Sequence, residues 1–581
     1  MKWCKDVSIQ LKFVLPIHFF LALLLSCTSS NKLPSLNDTA YQYSVTKDAV
    51  GKNGAVVSAH TLASKVGVEI LKKGGNAIDA AIAMQLALAV VYPRAGNIGG
   101  GGFLIASLSN GKMLALDFRE TAPAAASRDM YLDSAGNAQT TKSINGHLSG
   151  GVPGTVAGLF ESMKYAKLPF KTLIQPSIDL AENGFAITKA EADLLNTIQQ
   201  DLQQYNTMPS AFSKSVPWKA GDSLVQKDLA ATLKRIRDKG AIGFYEGATA
   251  GLILKEMQRG NGLITAEDLK NYKAKWRTPH KFFYKGYEVV SMPMPSSGGV
   301  LLHQMLKMVE DKPLPSYGFL SPNAVQLVVE AERRAYADRA EYMGDRDFFN
   351  VPIQQLTNEK YLKNRMNDYV MGKAGNSQEI QPGKFLPKES EETTHLTAVD
   401  KMGNVVSITT TLNNNYGSKT VIGGAGFFLN DEMDDFSIKP GTPNLYGAVG
   451  GEANAIAPNK RMLSSMTPTI VLKNGKPFLT VGTPGGTTIV TSVFQTIIDV
   501  VDFKMSLEDA VQKPKFHHQW LPDRIDVEAS FPENIKKELE QMGYTINVRT
   551  TIGRTEAIQI LEDGSFKAVA DVRGDDDAEA Y

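Results

Sequence analysis

The chain has 581 residues, 43% of them hydrophobic and 21% charged, a composition that supports packed cores and excludes wholesale disorder. Its 62 lysines and arginines balance 61 aspartates and glutamates for a net charge of +1, so there is no global electrostatic pull toward nucleic acid or acidic membrane. Only two cysteines occur, Cys4 and Cys27, which leaves nothing after residue 27 for a disulfide, a thiolate metal site or a cysteine nucleophile.

Both cysteines fall where the chain reads as a targeting segment. Lys2, Lys5 and Lys12 form a positive start and Phe13 to Leu25 an apolar run, too short and wrongly flanked for a stable span. Residues 1–26 therefore read as a signal peptide. Leu24-Leu25-Ser26-Cys27 resembles a bacterial lipobox, in which the cysteine is lipidated and becomes residue one. A plain secretory signal with an incidental cysteine has the same form. The expected location is across the inner membrane, in the periplasm, with residues 27–50 as a polar, lipid-anchored tether.

From Val56 the chain becomes dense. His60 to Lys72 carries helical periodicity, broken at Gly74-Gly75, and Asp79 opens a segment through Val91 that is apolar nearly all round. About 14 residues make that a buried core helix and not a membrane span. Four glycines, Gly99 to Gly102, follow Asn97-Ile98. They suit either close backbone packing beside a ligand or a tight turn. They are no dinucleotide fingerprint, since they follow a helix and lead into a strand, Phe103 to Leu108. Met113 to Phe118 reads as a strand ending at Arg119, Gly150 to Gly154 as a helix start, and Ser321-Pro322 as another, with a capping serine and a first-turn proline.

Residues 372–392 are rich in Gly, Lys, Asn, Ser, Gln, Pro and Glu and read as an exposed, mobile linker. It ends abruptly at Thr393-Thr394-His395, where strand patterning begins, an arrangement that makes sense if the chain is cut there. Thr393 to Val399 and Val405 to Leu412 form a hairpin around the turn Asp400 to Asn404. Parity puts Ser407, Thr409 and Thr411 on one face and Val406, Ile408 and Leu412 on the other. The pattern alone fits a hydroxyl-lined site or an ordinary half-buried strand with its polar side outward.

Several blocks then carry a resemblance: Thr393-Thr394-His395, Thr411-Leu412-Asn413, Met433-Asp434-Asp435-Phe436, Leu463-Ser464-Ser465-Met466 and Gly482-Thr483-Pro484-Gly485-Gly486. With Asp117-Phe118-Arg119-Glu120 and Ala335-Tyr336-Ala337-Asp338-Arg339, they resemble the gamma-glutamyltransferases in kind and order, over about residues 50 to 575. That family belongs to the N-terminal nucleophile hydrolases. The resemblance implies an α+β fold, a four-layer αββα sandwich formed jointly by two autoprocessed subunits. Residues 51–392 would be the large subunit and 393–581 the small catalytic one, in place of the four or so domains that length would allow.

The implied chemistry suits the residue types. A threonine hydroxyl is a weak nucleophile, but an N-terminal threonine brings its own base, an α-amine with a pKa of roughly 7.7–8.0. Maturation would be attack of the Thr393 hydroxyl on the carbonyl of Glu392, an N-to-O shift and ester hydrolysis. Recognition of a γ-glutamyl group needs a cation, an anion and hydrogen bonds together. By resemblance Arg119, Ser464 and Ser465 would hold its carboxylate. Asp435 would hold the ammonium, and Asn413 and Glu432 would add hydrogen bonds. Gly485 and Gly486 would stabilise the oxyanion, and Thr411 would hydrogen-bond the nucleophile. Residues 440–451 resemble a lid loop with Tyr446 as its latch.

No metal or other cofactor is implied. The expected partners are glutathione-like γ-glutamyl compounds, acceptor amino acids or peptides, and the two subunits for each other, with no nucleic acid and no membrane contact beyond the lipid. Gly221-Asp222-Ser223-Leu224 spells an esterase signature without a supporting histidine, and no G-x-S-x-G elbow occurs. His517-His518 reads as a structural pair and Asp575-Asp576-Asp577 as a solvated tail. Two other functions stay open: an acylase of the same superfamily acting on a cephalosporin side chain or poly-γ-glutamate, and a non-catalytic lipoprotein binding γ-glutamyl peptides.

Overall fold

A computed structural model describes residues 43–382, 393–439 and 452–581. Cys4, Cys27, Glu392 and Tyr446 lie outside the described residues, as do 383–391 and the rest of the 440–451 loop. Two seven-stranded sheets dominate. One runs in the order Asp48–Gly51, Phe566–Val569, Glu556–Ile560, Lys476–Gly482, Thr469–Lys473, Tyr287–Ser291, His280–Tyr284. The other runs Asp577–Ala580, Gly54–Ser58, Thr394–Asp400, Val405–Thr411, Gly101–Ser107, Met113–Asp117, Lys275–Arg277. Neighbouring strands in both are antiparallel.

The sheets face each other across an apolar layer that includes Val57, Phe103, Ile105, Val399 and Val405 from one and Val290, Ile470, Ile558 and Ala568 from the other. Helices cover both outer faces. Thr61–Lys72, Ala77–Val91 and Phe170–Asn183 share a core with the second sheet, and Gly298–Glu310, Pro322–Tyr342 and Thr488–Val501 share one with the first. The architecture is thus the four-layer αββα sandwich. The described residues form one folded unit, and no helix among them is long and apolar enough to cross a membrane.

Local signals explain the elements that frame the middle of the second sheet. The Ala77–Val91 helix begins two residues before Asp79, because Asn76 and Asp79 close a reciprocal capping box, satisfying two orphan N–H groups. Every residue of it is buried, as an all-round apolar helix must be, and it packs on Thr394–Asp400 and Val405–Thr411. The turn between those strands is built by Asp400. Its carboxylate accepts from Met402 N–H at 2.8 Å, Asn404 N–H at 3.2 Å and Asn404 Nδ2 at 2.7 Å. It also accepts from Ala77 N–H at 2.9 Å, tying the turn to the helix. Ser321 caps its helix as expected, accepting from Ala324 N–H at 3.1 Å.

One expectation is corrected. The acidic tail is not solvated: Asp576 and Asp577 are fully buried, and Asp577–Ala580 pairs with Gly54–Ser58 as the edge strand of the second sheet. The described part of the linker, 372–382, is mostly exposed but docked at several points. Ser377 and Ile380 are buried, and the Trp520 indole N–H lies within hydrogen-bond distance of both their carbonyls, 2.9 and 3.0 Å.

Candidate active site

Thr393 stands at the head of the Thr394–Asp400 strand. Thr394 pairs with Thr410 in the antiparallel register, so one step further sets Thr393 opposite Thr411. The parity question is resolved by burial: every residue of Val405–Thr411 is buried. The hydroxyl-bearing face is turned toward the other sheet. There His395 Nδ1 meets Thr409 Oγ1 at 2.9 Å and Thr397 Oγ1 meets Thr480 Oγ1 at 3.0 Å. The opposite face is not wholly apolar, since Thr410 accepts from Gln85 Nε2 at 3.0 Å.

The glycine run serves this strand. A Cβ at Gly100 would lie 2.1 Å from the Thr411 carbonyl oxygen, so a side chain there would push the strand away. Close backbone packing, and not a turn, accounts for these glycines. Asn97, which the sequence reading left without a role, donates from Nδ2 to the Thr411 carbonyl at 2.8 Å and sits 3.1 Å from Thr410 Oγ1.

Past the strand the chain turns sharply at Asn413, whose φ is 75°, a left-handed conformation that asparagine tolerates better than most residues. Its N–H donates to Thr411 Oγ1 at 2.8 Å and its Nδ2 to the Asp431 carbonyl at 3.0 Å. Asp431 also accepts from Asn414 N–H at 2.9 Å, and burial pushes its carboxyl up to about 7. Glu432–Asp435 then forms a short 3-10 turn that points Glu432 and Asp435 at Arg119.

Arg119 is the centre of this cluster. It is 1% exposed. Its Nη1 lies 2.5 Å from Glu432 Oε2 and 3.6 Å from Glu120 Oε2, and its Nη2 donates to Asp435 Oδ2. It also reaches the Leu463 carbonyl at 3.3 Å, beside Ser464 and Ser465. Burial opposes its charge, but Glu432, Asp435 and Glu120 outweigh burial and hold the guanidinium protonated above its ordinary range. Burial pushes Glu432 well above the usual carboxylate range and Glu120 up to about 8. Asp435 and Arg119, given separate partners in the sequence reading, are paired with each other here. Ser464 is held by its backbone and Ser465 by its hydroxyl. Ser464 N–H donates to the Pro295 carbonyl at 2.9 Å and its own carbonyl accepts from Ser297 N–H at 2.7 Å. Ser465 Oγ accepts from Arg339 Nη2 at 3.1 Å.

Gly485 and Gly486 precede the Thr488–Val501 helix with φ of 128° and 60°. Their N–H groups stand at the positive end of a helix dipole, suited to a developing anion. Thr393, Pro484, Gly485 and Thr488 line a cleft of about 270 Å³. The structure thus brings together Arg119, Glu432, Asp435 and the serine pair, then Thr411 and Asn413, and places Thr393 and Gly485 on one cleft. Tyr92, Arg94, Arg554 and Asp575 also line this cleft. The sequence reading missed them as site residues because they stand outside the blocks that carry the resemblance. Arg94, three residues before Asn97, is the nearest to a legible signal.

The chain matches the gamma-glutamyltranspeptidase family model over residues 63–581. It is 46% identical over 560 residues to the glutathione hydrolase proenzyme of Escherichia coli strain K12, covering 96% of this chain and 97% of that one. Among solved structures, the cephalosporin acylase of Bacillus halodurans superposes with a TM-score of 0.83 at 25% identity, over 94% of this chain and 99% of the other. Helicobacter pylori gamma-glutamyltranspeptidase superposes with a TM-score of 0.56 at 44% identity, over 58% of this chain and 96% of that chain.

Proposed function

The chain belongs to the gamma-glutamyltranspeptidase family, and from that premise we propose an autoprocessing threonine hydrolase and transferase that cleaves the γ-glutamyl amide of glutathione and related compounds. Thr393 first attacks the carbonyl of Glu392. The N-to-O shift makes an ester, and water then releases a free Thr393 amine and a Glu392 carboxylate. In turnover that amine takes the hydroxyl proton while Oγ attacks the γ-carbonyl. The Gly485 and Gly486 N–H groups hold the oxyanion, the amine component leaves with the proton, and water or an acceptor amine attacks the resulting ester.

The observation that carries this reading is Arg119 standing between Glu432 and Asp435 in a fully buried site. An α-amino acid end is a zwitterion. Entering between Arg119 and Asp435, it replaces one ion pair by two, its carboxylate on the guanidinium and its ammonium on Asp435. A substrate without that end would leave the pair buried and unchanged. Such charge-assisted, desolvated contacts are the strong ones.

Both sheets contain strands from both sides of residue 393 hydrogen-bonded to one another, so the cut pieces stay one heterodimer. The likeness to a cephalosporin acylase in fold favours a second reading, acylation by a side chain lacking the amino-acid end. Glutamate release from glutathione, compared with cleavage of the matching glutaryl amide, separates the two. A strong preference for glutathione supports the γ-glutamyl assignment and a preference for glutaryl amide rejects it. The lysines and apolar run of residues 1–26, followed by the Cys27 lipobox, support export to the periplasm and lipid attachment at Cys27.

A further inference from the structure

The cleft holding Thr393 and Gly485 carries more positive charge than this chemistry uses. Arg94, Arg549, Arg554 and Arg573 line it, against Asp575 as the single lining carboxylate among the described residues. Arg119, Glu432, Asp435 and the serine pair do not line it. With the γ-glutamyl group held at Arg119, the cleft is therefore where the amine side of the scissile amide extends.

Two of the four arginines are committed. Arg573 Nε and Nη2 lie 2.5 and 2.6 Å from the two Glu528 carboxylate oxygens, and Nη1 2.9 Å from Asp571 Oδ1. Arg549 Nη1 faces Asp526 at 3.5 Å. Arg94 is different. It is 9% exposed, and its Nε is buried with no hydrogen-bond partner. The nearest carboxylate, Glu191, stands 3.9 Å away, beyond hydrogen-bond reach, and its Oε1 already accepts from the Tyr416 hydroxyl at 2.7 Å. The Arg94 guanidinium lies 4.3 Å from the centre of the Tyr92 ring and that of Arg554 5.3 Å from the same centre. Arg554 Nη2 donates to the Tyr92 hydroxyl, while its Nη1 is 3.7 Å from Asp576. One aromatic ring thus stands against two guanidinium groups in the cleft that Thr393 lines, with neither matched to a carboxylate in the bidentate geometry that arginine favours. A buried cation left short of hydrogen bonds is costly unless an anion completes it.

Building on the γ-glutamyl reading, we propose that Arg94 and Arg554 form a carboxylate subsite for the amine component. They take the terminal carboxylate of the leaving peptide in acylation and that of the incoming amino acid or peptide in transfer. The substrate class is then a γ-glutamyl amide whose amine part ends in a carboxylate, as the cysteinylglycine half of glutathione does.

The test compares kcat/KM for glutathione and for its C-terminal amide, which differ only in that carboxylate. The wild-type enzyme is expected to prefer glutathione by about tenfold or more, the worth of one charge-assisted bond. Arg94→Gln and Arg554→Gln should bring the two substrates close to parity, with Arg94→Lys restoring part of the preference. Conversion to two fragments reports that each variant folds. A wild-type enzyme that cleaves both substrates equally well overturns the subsite and leaves the γ-glutamyl assignment standing. So do variants that slow both substrates alike and keep the preference, since that is what a purely structural role would do. A wild-type enzyme that cleaves neither rejects the γ-glutamyl assignment, and the subsite falls with it. Should a glutamine variant fail to fold, the wild-type preference and the Arg94→Lys value still decide.

Discussion

Arg119 donates to Asp435, so a residue from before the proposed cut and one from after it form a single buried ion pair. Glu432 lies on the other side of the same guanidinium at 2.5 Å. A zwitterionic substrate end needs both members. Asp435→Asn keeps shape and removes the charge that would meet the ammonium. The expected effect is a fall of about 100-fold in kcat/KM for glutathione, chiefly in KM, as for loss of a desolvated charged contact. Steady-state kinetics on the processed enzyme check it. An unchanged KM would place the ammonium elsewhere.

Gly485 has a φ of 128°, and a Cβ there would lie 2.5 Å from Thr488 Oγ1. Gly485→Ala must therefore shift the backbone that presents the oxyanion N–H groups. With an oxyanion donor displaced, kcat should drop by about 10²–10³-fold with a smaller change in KM. Single-turnover formation of the acyl-enzyme is the measurement.

Thr411 Oγ1 accepts from the Asn413 N–H at 2.8 Å. Thr411→Val keeps the strand shape and leaves that buried N–H without its acceptor, at a cost of about 1–3 kcal/mol. Appearance of the two fragments over time should slow by about tenfold or more, and Thr411→Ser should process near the wild-type rate. Equal rates for valine and serine would mean that the hydroxyl does not support the nucleophile.

Much of this was legible because it is local. The Thr394–Asp400 hairpin showed in alternation and in its Asp-to-Asn turn, and the Ala77–Val91 helix in uniform apolarity. The tail misled for the opposite reason. Three consecutive aspartates read as solvated, yet Asp577 pairs with Ser58, a partner more than five hundred residues away that no local pattern announces. The same holds for Arg119 with Asp435, and for Arg94 and Arg554 meeting at Tyr92. Resemblance could name the first pair as site residues, but only the fold shows that they touch.

Asp434 is fully buried, and burial, offset by the Ser143 hydroxyl donating at 2.5 Å, pushes its carboxyl up to about 8. An unfolded aspartate titrates near 3.9. A raised carboxyl contributes its full stabilisation below about pH 4 and loses it as pH rises through about 8. Other buried groups titrate nearby, so the readout is a difference between two proteins. In an uncut Thr393→Ala background, the thermal midpoint should fall from pH 7 to pH 9 relative to the same chain carrying Asp434→Asn. Parallel curves for the two would show that Asp434 ionises normally in the fold.

Intact mass and N-terminal sequence of the purified protein, for the wild type and for Thr393→Ala, bear on the nucleophile itself. The wild type should yield two fragments, the smaller beginning at Thr393. Thr393→Ala should stay one chain and release no glutamate from glutathione. A wild-type protein that remains a single chain yet turns over glutathione, or a Thr393→Ala protein that does so, would contradict an N-terminal threonine mechanism.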